Sequence, residues 1–147
     1  MIDVRTAAKY LIQRYEQELG STMDEMKLHK LLYFTQRESF VLLGRPMFLD
    51  KFEAWKYGPV MRCLRKTGWE CQVQPLSVDS EYIPVLEDTL RRYAGLSSWT
   101  LSNISHGETS WQKAKDKEIN SHPVEIESSD IEYDAKVIKY RRFICPQ

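Results

Sequence analysis

Apolar residues recur at three- and four-residue spacing along most of the chain, which is the pattern of amphipathic helices. In Val4–Leu19 they keep to one face, Asp3 can cap the first turn, and Gly20 can end the helix. The same spacing predicts a helix over Ile83–Tyr93. Both segments are therefore expected to bury one face and expose the other.

The segment that follows the first helix predicts the central element of the fold. Thr22 and Glu25 have the spacing of a capping box, and Gly44 followed by Pro46 marks a helix end. The apolar residues between these signals do not keep to one stripe. Because a helix that is apolar on most sides is normally surrounded by other helices, we expect a central helix at about residues 24–43.

The remaining segments predict shorter elements. Gly58 and Pro59 predict a turn that opens a short helix over residues 60–66, and residues 71–73 predict a short strand. Further short helices are predicted from Ser98 or Thr100 through Ser105, at a turn capped by Ser110, and from Ser129 to about Phe143. The pattern as a whole predicts a mainly α fold, a single compact domain of five to seven helices around the central helix, with at most a short strand pair.

Length and charge narrow the class of protein. The chain has 147 residues, 42% of them hydrophobic, so we expect one globular domain over residues 1–147. Basic and acidic residues number 21 each, whereas a dedicated nucleic-acid binder usually carries a basic excess, so the composition argues against a nucleic-acid partner. The first 20 residues carry charges throughout, and no apolar run is long enough to cross a bilayer. We therefore expect a cytoplasmic protein with no membrane partner, its three cysteines reduced.

The chain carries one incomplete catalytic motif. His106 and Glu108 form the H-x-E half of a zinc-deaminase signature, but the P-C-x-x-C that completes such a zinc site is absent. The six glycines are scattered singly, so no phosphate-binding loop is indicated. We therefore predict no catalytic, metal or cofactor site. A small hydrolase that uses His106 and Glu108 is the weaker alternative.

Aromatic residues in a turn indicate a binding surface instead. Trp55 and Tyr57 flank Lys56 just before Gly58, where a large side chain is difficult to bury. Tyrosine and tryptophan dominate the energetic centres of protein interfaces. Glu53 precedes this turn, and we expect its carboxylate to accept hydrogen bonds from backbone amides of residues 57–60 and so to hold the turn.

Four segments carry recognisable motifs: residues 26–34 (MKLHKLLYF), 44–48 (GRPMF), 52–60 (FEAWKYGPV) and 101–114. They resemble the motifs of the Panacea domain, a family also called SocA-like antitoxins, with members often labelled phage-associated or GepA-like. Residues 26–34 are similar to its M-K-L-Q-K-L-L-Y-[FY] helix, and residues 44–48 to its G-x-P-L-F connector. Residues 52–60 (FEAWKYGPV) match its most specific block, [IF]-E-A-W-x-Y-G-P-V. Residues 101–114 resemble its L-S-x-L-T-H-x-x-x-P-W-x-x-A segment, so the resemblance covers about residues 4–114.

The chain departs from this pattern at three positions. His29 stands where the family usually has glutamine, Ser105 where it has threonine, and Ser110 where it has proline. Residues 115–147 match no part of the pattern and form a C-terminal extension with the predicted final helix. Its basic residues are expected to lie on a solvated helix face: Lys136, Lys139, Arg141 and Arg142.

The resemblance implies a helical antitoxin without enzymatic activity or cofactor, which neutralises a cognate protein toxin by direct binding. A proteolytic adaptor that delivers its partner to a ClpXP-type protease is the alternative, and a homo-oligomer stays open. The residues expected to contact the partner are Tyr33, Trp55, Lys56, Tyr57, His106 and Trp111. The residues expected to hold the structural motif are Lys27, Leu28, Leu31, Leu32, Glu53, Gly58 and Pro59.

Overall fold

The first two helices begin at aspartates and end at glycines that satisfy their free backbone groups. The Asp3 carboxylate accepts a hydrogen bond from the backbone N–H of Arg5, and Gly20 adopts the left-handed conformation after Leu19. The second helix is capped by Asp24, which accepts from the N–H of Lys27 at 2.7 Å. The predicted Thr22 capping box is therefore wrong, because the adjacent Asp24 takes that role.

The computed structural model describes residues 1–145, and the last two residues of the predicted C-terminal extension lie outside it. The described residues form six helices and one two-stranded antiparallel sheet: α1 Val4–Leu19, α2 Glu25–Leu43, β1 Glu53–Trp55, β2 Gly58–Val60, α3 Ile83–Tyr93, α4 Ser98–His106, α5 Thr109–Asp116 and α6 Ser128–Lys139. The predicted mainly α fold with a short strand pair is confirmed.

Helix α2 is the centre of the molecule. Fifteen of its nineteen residues are buried, and helices α1, α3, α4 and α6 as well as strand β2 pack against it. Its aromatic residues lie among other rings: Phe34 stacks on Tyr93 with ring centres 4.5 Å apart, and Tyr33 meets Phe52 edge to face. The predicted central helix is confirmed.

Two adjacent charged residues of α2 are enclosed in this core. Arg37 and Glu38 are 1% and 0% exposed. Arg37 forms an ion pair with Glu108 and donates a hydrogen bond to the Tyr93 hydroxyl, and Glu38 accepts from the Arg142 guanidinium at 2.8 Å. Because a buried charge is costly unless it is paired, these partners decide how α3, α5 and the C-terminal turn sit on α2.

The C-terminal end therefore differs from the expected solvated face. After α6 the chain makes a π-helical turn over Tyr140–Ile144, and the side chain of Arg142 is only 17% exposed. Its guanidinium reaches Glu38 and also donates to the Tyr93 hydroxyl at 3.2 Å. The interpretation of Arg142 as a solvated cation is wrong.

Residues 58–60 form a strand rather than the start of the predicted helix. Pro59 stands opposite Ala54 in the hairpin, and the N–H of Ala54 points away to the carbonyl of Val124 at 2.9 Å. Ala54 and Pro59 are thus a non-hydrogen-bonded pair of the antiparallel sheet. The missing N–H of Pro59 therefore removes no hydrogen bond between the two strands. The helical turn predicted over residues 60–66 is instead a 3₁₀ turn over Arg62–Arg65. The predicted strand at 71–73 is wrong, because Trp69–Gln72 form a second 3₁₀ turn there.

Helix α5 is held by a carboxylate from α6. Asp134 is 3% exposed and accepts the backbone N–H groups of Thr109 and Ser110 at 3.1 and 2.9 Å. Ser110 therefore does not cap the helix as predicted but lies inside its first turn, where its hydroxyl bonds that of Tyr33 at 2.6 Å. Helix α6 likewise starts at Ser128 without a side-chain cap, so the Ser129 capping box is also wrong.

Replacing Arg37 by methionine should destabilise the protein by about 3 kcal/mol, because the substitution leaves buried acceptors without their partner. Urea denaturation at neutral pH measures the change in the free energy of unfolding. The matched control is Arg5→Met, which removes a solvated arginine paired with Asp3 and should change stability little. Equal losses in the two variants would contradict a special role for the buried charges.

Candidate partner-binding site

The hairpin of residues 53–60 presents a turn of large side chains to solvent. Tyr57 is 51% exposed, Lys56 is exposed, and Trp55 is half-buried. The Lys56 ammonium lies over the Tyr57 ring, and the Arg65 guanidinium lies over the Trp55 ring, 4.8 Å from its centre. The turn is thus both aromatic and cationic.

Hydrogen bonds fix this turn from behind. The Trp111 indole N–H donates to the carbonyl of Trp55 at 3.0 Å, and the Ser102 hydroxyl donates to the carbonyl of Tyr57 at 2.7 Å. The outer edge of β1 is also paired, because Ile126 donates its N–H to the carbonyl of Phe52 at 2.7 Å. The hairpin is therefore held at its tip and along the outer edge of β1.

Glu53 holds the hairpin by side-chain contacts instead of the expected backbone ones. Its carboxylate accepts from the indole N–H of Trp55 at 2.9 Å and from the Arg62 guanidinium at 3.1 Å. The expectation that the carboxylate accepts from amides of residues 57–60 is wrong. In the hairpin the backbone of Glu53 pairs with that of Val60, and the carboxylate turns to side-chain donors. The carboxylate fixes the Trp55 ring instead.

His106 and Glu108 face different partners. The His106 ring stacks on Trp111, with ring centres 4.2 Å apart, and burial lowers its pKa. Glu108 is engaged by the buried Arg37. The two residues of the H-x-E pattern are thus both committed to packing and ion-pair contacts.

Five of the six expected contact residues meet at the hairpin: Trp55, Lys56, Tyr57, His106 and Trp111. Tyr33 does not join them. It is fully buried, and its hydroxyl bonds Ser110. The expectation of a surface contact at Tyr33 is wrong, because its side chain is enclosed in the core and its hydroxyl is paired with a residue distant in sequence.

The expected structural residues on α2 are buried. Leu28, Leu31 and Leu32 are buried in the core. Lys27 is 8% exposed and donates to the carbonyl of Ala94 at 3.1 Å and to the Tyr15 hydroxyl at 3.3 Å.

A groove of about 410 Å³ lies beside the hairpin, against the first turns of α2. We call it the hairpin groove; it is lined by Met26, His29, Lys30, Tyr57, Pro59 and Arg65, among others. The sequence pattern did not reveal it, because His29 and Lys30 lie within a helix that was expected to be enclosed by other helices.

His29 links α2 to the chain after the hairpin. It is 4% exposed, its Nδ1 accepts the backbone N–H of Met61 at 3.0 Å, and its Nε2 lies 3.3 Å from the Glu25 carboxylate. Accepting that bond requires a neutral Nδ1. Burial is the main cause that lowers the pKa of His29.

The chain is similar to known antitoxins. The family model described as "Antitoxin SocA-like, Panacea domain" matches residues 28–112. The chain belongs to this family. It is also 37% identical over 71 residues to a protein named Antitoxin SocA from Caulobacter vibrioides (strain NA1000 / CB15N). That match covers 46% of this chain and 37% of the relative's length.

No solved structure gives a significant match. Within residues 1–145, none of the helices has the length and apolar character that crossing a bilayer requires. The Panacea match begins inside α2 and ends inside α5, so it includes the whole hairpin and most of the groove. The carboxylate of Asp134, which holds α5, lies beyond it.

Gly58 should be required by the hairpin. Its φ is +123°, and an added Cβ would lie 3.0 Å from the Ser105 hydroxyl and 3.4 Å from Cε of Lys30. Gly58→Ala should therefore cost about 1–3 kcal/mol of stability. Gly95→Ala is the control, because nothing lies within 4 Å of its added Cβ. Thermal and urea denaturation of both variants measure the difference, and a neutral Gly58→Ala would contradict this geometry.

Stability should fall as the pH drops below about 6.5, the ordinary pKa of histidine. The folded state holds His29 at a lowered pKa, so the unfolded state binds more protons in this range and acid favours unfolding. In His29→Gln an amide oxygen can accept the Met61 N–H but takes up no proton.

The variant should therefore lose less stability than the wild type between pH 7 and pH 5, as measured by urea denaturation. His106, whose pKa burial also lowers, is present in both proteins and cancels in the comparison. Identical pH profiles would show that His29 is not responsible.

Proposed function

We propose that this chain is an antitoxin that neutralises a co-encoded protein toxin by direct binding. Membership of the Antitoxin SocA-like family supports the class of function. We further propose that the toxin is contacted by the hairpin surface, defined as Trp55, Lys56 and Tyr57 with His106 and Trp111 packed behind them. The observation that carries this choice is an exposed aromatic turn on a fixed scaffold within the family-matched region.

The chemistry of the turn suits a protein partner. Tyrosine and tryptophan bring large contact areas and a polar tip, and they are enriched among the residues that carry most of the binding energy. Tyr57 is half exposed, while Lys56 and Arg65 add positive charge beside the rings. The surface is therefore suited to an apolar patch that carries acidic residues.

The rigidity of the turn favours binding as well. Ordering a loop on association costs free energy that subtracts from affinity. Here Trp111, Ser102 and the segment that contains Val124 and Ile126 already hold the backbone of the hairpin. The free protein should therefore present the bound conformation at little further cost.

Co-expression tests the function directly. The product of the neighbouring gene, produced alone in a bacterial host, should stop growth, and production of this chain should restore it. A neighbouring product that is harmless alone would remove the basis of the proposal. Immunoblots of the toxin distinguish two routes: a constant amount indicates sequestration, and a falling amount indicates delivery to a ClpXP-type protease.

Tyr57→Ala tests the surface. It should weaken binding to the purified toxin at least about tenfold, because an aromatic centre of the contact is removed. Tyr133→Ala is the matched control, since Tyr133 lies on α6 and is 55% exposed. Calorimetric titration gives both affinities. Equal affinities for the two variants would contradict the proposal that the toxin contacts the hairpin.

A further inference from the structure

The hairpin groove has apolar walls and a cation at its base. Met26, Tyr57 and Pro59 contribute to the walls, and Lys30 lines the groove from α2. Lys30 is only 3% exposed. A lysine buried to this degree normally finds an acceptor in its own protein.

Lys30 is the exception among the buried charges. Within residues 1–145, Lys27, Arg37, Glu38 and Asp134 all have hydrogen-bond or ion-pair partners, whereas no such contact is formed by the Lys30 ammonium. Its Nζ keeps some contact with solvent, since it is not among the atoms that are both shut off from water and unpartnered. Burial of the side chain lowers the pKa of the ammonium, which is the direction expected for a charge that has lost part of its hydration without gaining a protein partner.

The nearby carboxylates are already engaged. Asp24 caps α2 through the N–H of Lys27. Glu25 lies 3.3 Å from His29 and 3.9 Å from Arg65. The positive charge of Lys30 is thus reinforced at the groove by Arg65 and Lys56, which also line it. The groove has room for an anionic group and an excess of cations to receive it.

Packing accounts for the stem of Lys30 but not for its charge. Its Cε would lie 3.4 Å from a Cβ at position 58, so the stem fills the space under the hairpin. A methionine would fill the same space without burying an ammonium. The charge is therefore available at the groove for a partner from outside the free protein.

We propose that the hairpin groove receives an acidic side chain of the toxin, next to an apolar residue, with Lys30 as its counter-ion. This inference rests on the proposed function, because it names the chemistry that the partner brings to the same surface. The apolar walls take the neighbouring side chain, and the carboxylate gives the buried ammonium the acceptor it lacks in the free protein.

A small probe tests the groove without the toxin. In ¹⁵N NMR titrations, 3-phenylpropionate should shift the amide signals of Tyr57 and Gly58, whereas its neutral isostere 3-phenylpropionamide should shift them much less. Lys30→Met should abolish the difference, and Lys139→Met, on the exposed last turn of α6, should preserve it. Equal shifts with both probes in the wild type would overturn the proposal, whether or not a variant folds.

Stability and binding together separate this role from a structural one. Lys30→Met should unfold at the same or a higher temperature than the wild type, because the substitution keeps the buried stem and removes a partly dehydrated ammonium that has no protein partner. It should nevertheless bind the toxin at least tenfold more weakly, while Lys139→Met binds normally. A destabilised Lys30→Met with unchanged affinity would overturn the inference.

The outcomes also separate the inference from the function. If Lys30→Met neutralises the toxin as well as the wild type does, the groove proposal fails and the antitoxin proposal stands. If the wild type does not neutralise the neighbouring product, the antitoxin proposal fails, while the probe titration still reports on the groove. Self-association that Lys30→Met removes, seen by sedimentation, would assign the groove to a second copy and overturn the proposal.

Discussion

The burial of Arg37 and Glu38 at the middle of α2 is the constraint on which the other elements depend. A helix enclosed on nearly all sides cannot solvate these charges, so groups from elsewhere must neutralise them. Glu108 comes from the turn before α5, and Arg142 comes from the end of the chain. These two segments, far apart in sequence, thereby pack on the same helix. The Tyr93 hydroxyl links them further, because it accepts hydrogen bonds from both Arg37 and Arg142.

These buried ion pairs also fix the position of the hairpin. Glu108 places the start of α5 on α2, and Asp134 of α6 caps that start. Trp111, one turn further on, then reaches the backbone of Trp55. The buried ion pairs thus support the exposed turn through a short series of contacts, and the turn that we propose binds a partner is held by the core beneath it.

The helices could be predicted where their signals are local. Val4–Leu19 and Ile83–Tyr93 follow from apolar periodicity, and Val4–Leu19 also from its adjacent caps. Residues 26–34 and 52–60 carry the family resemblance. The strand at Pro59 could not be predicted, because it depends on pairing with Ala54 and on the orientation of that pair. Tyr33 and Lys30 were missed for the same reason: what surrounds each side chain is set by residues distant in sequence, and periodicity cannot show whether a buried polar group has a partner.

The central claim is that the hairpin surface forms the contact with the toxin. Hydrogen exchange, followed by mass spectrometry on the chain alone and with the purified product of the neighbouring gene, tests it most directly. We expect exchange to slow upon binding in peptides that contain residues 53–60 and in the adjacent first turns of α2. Slowing confined to α6 or to α1, with the hairpin unchanged, would contradict the account.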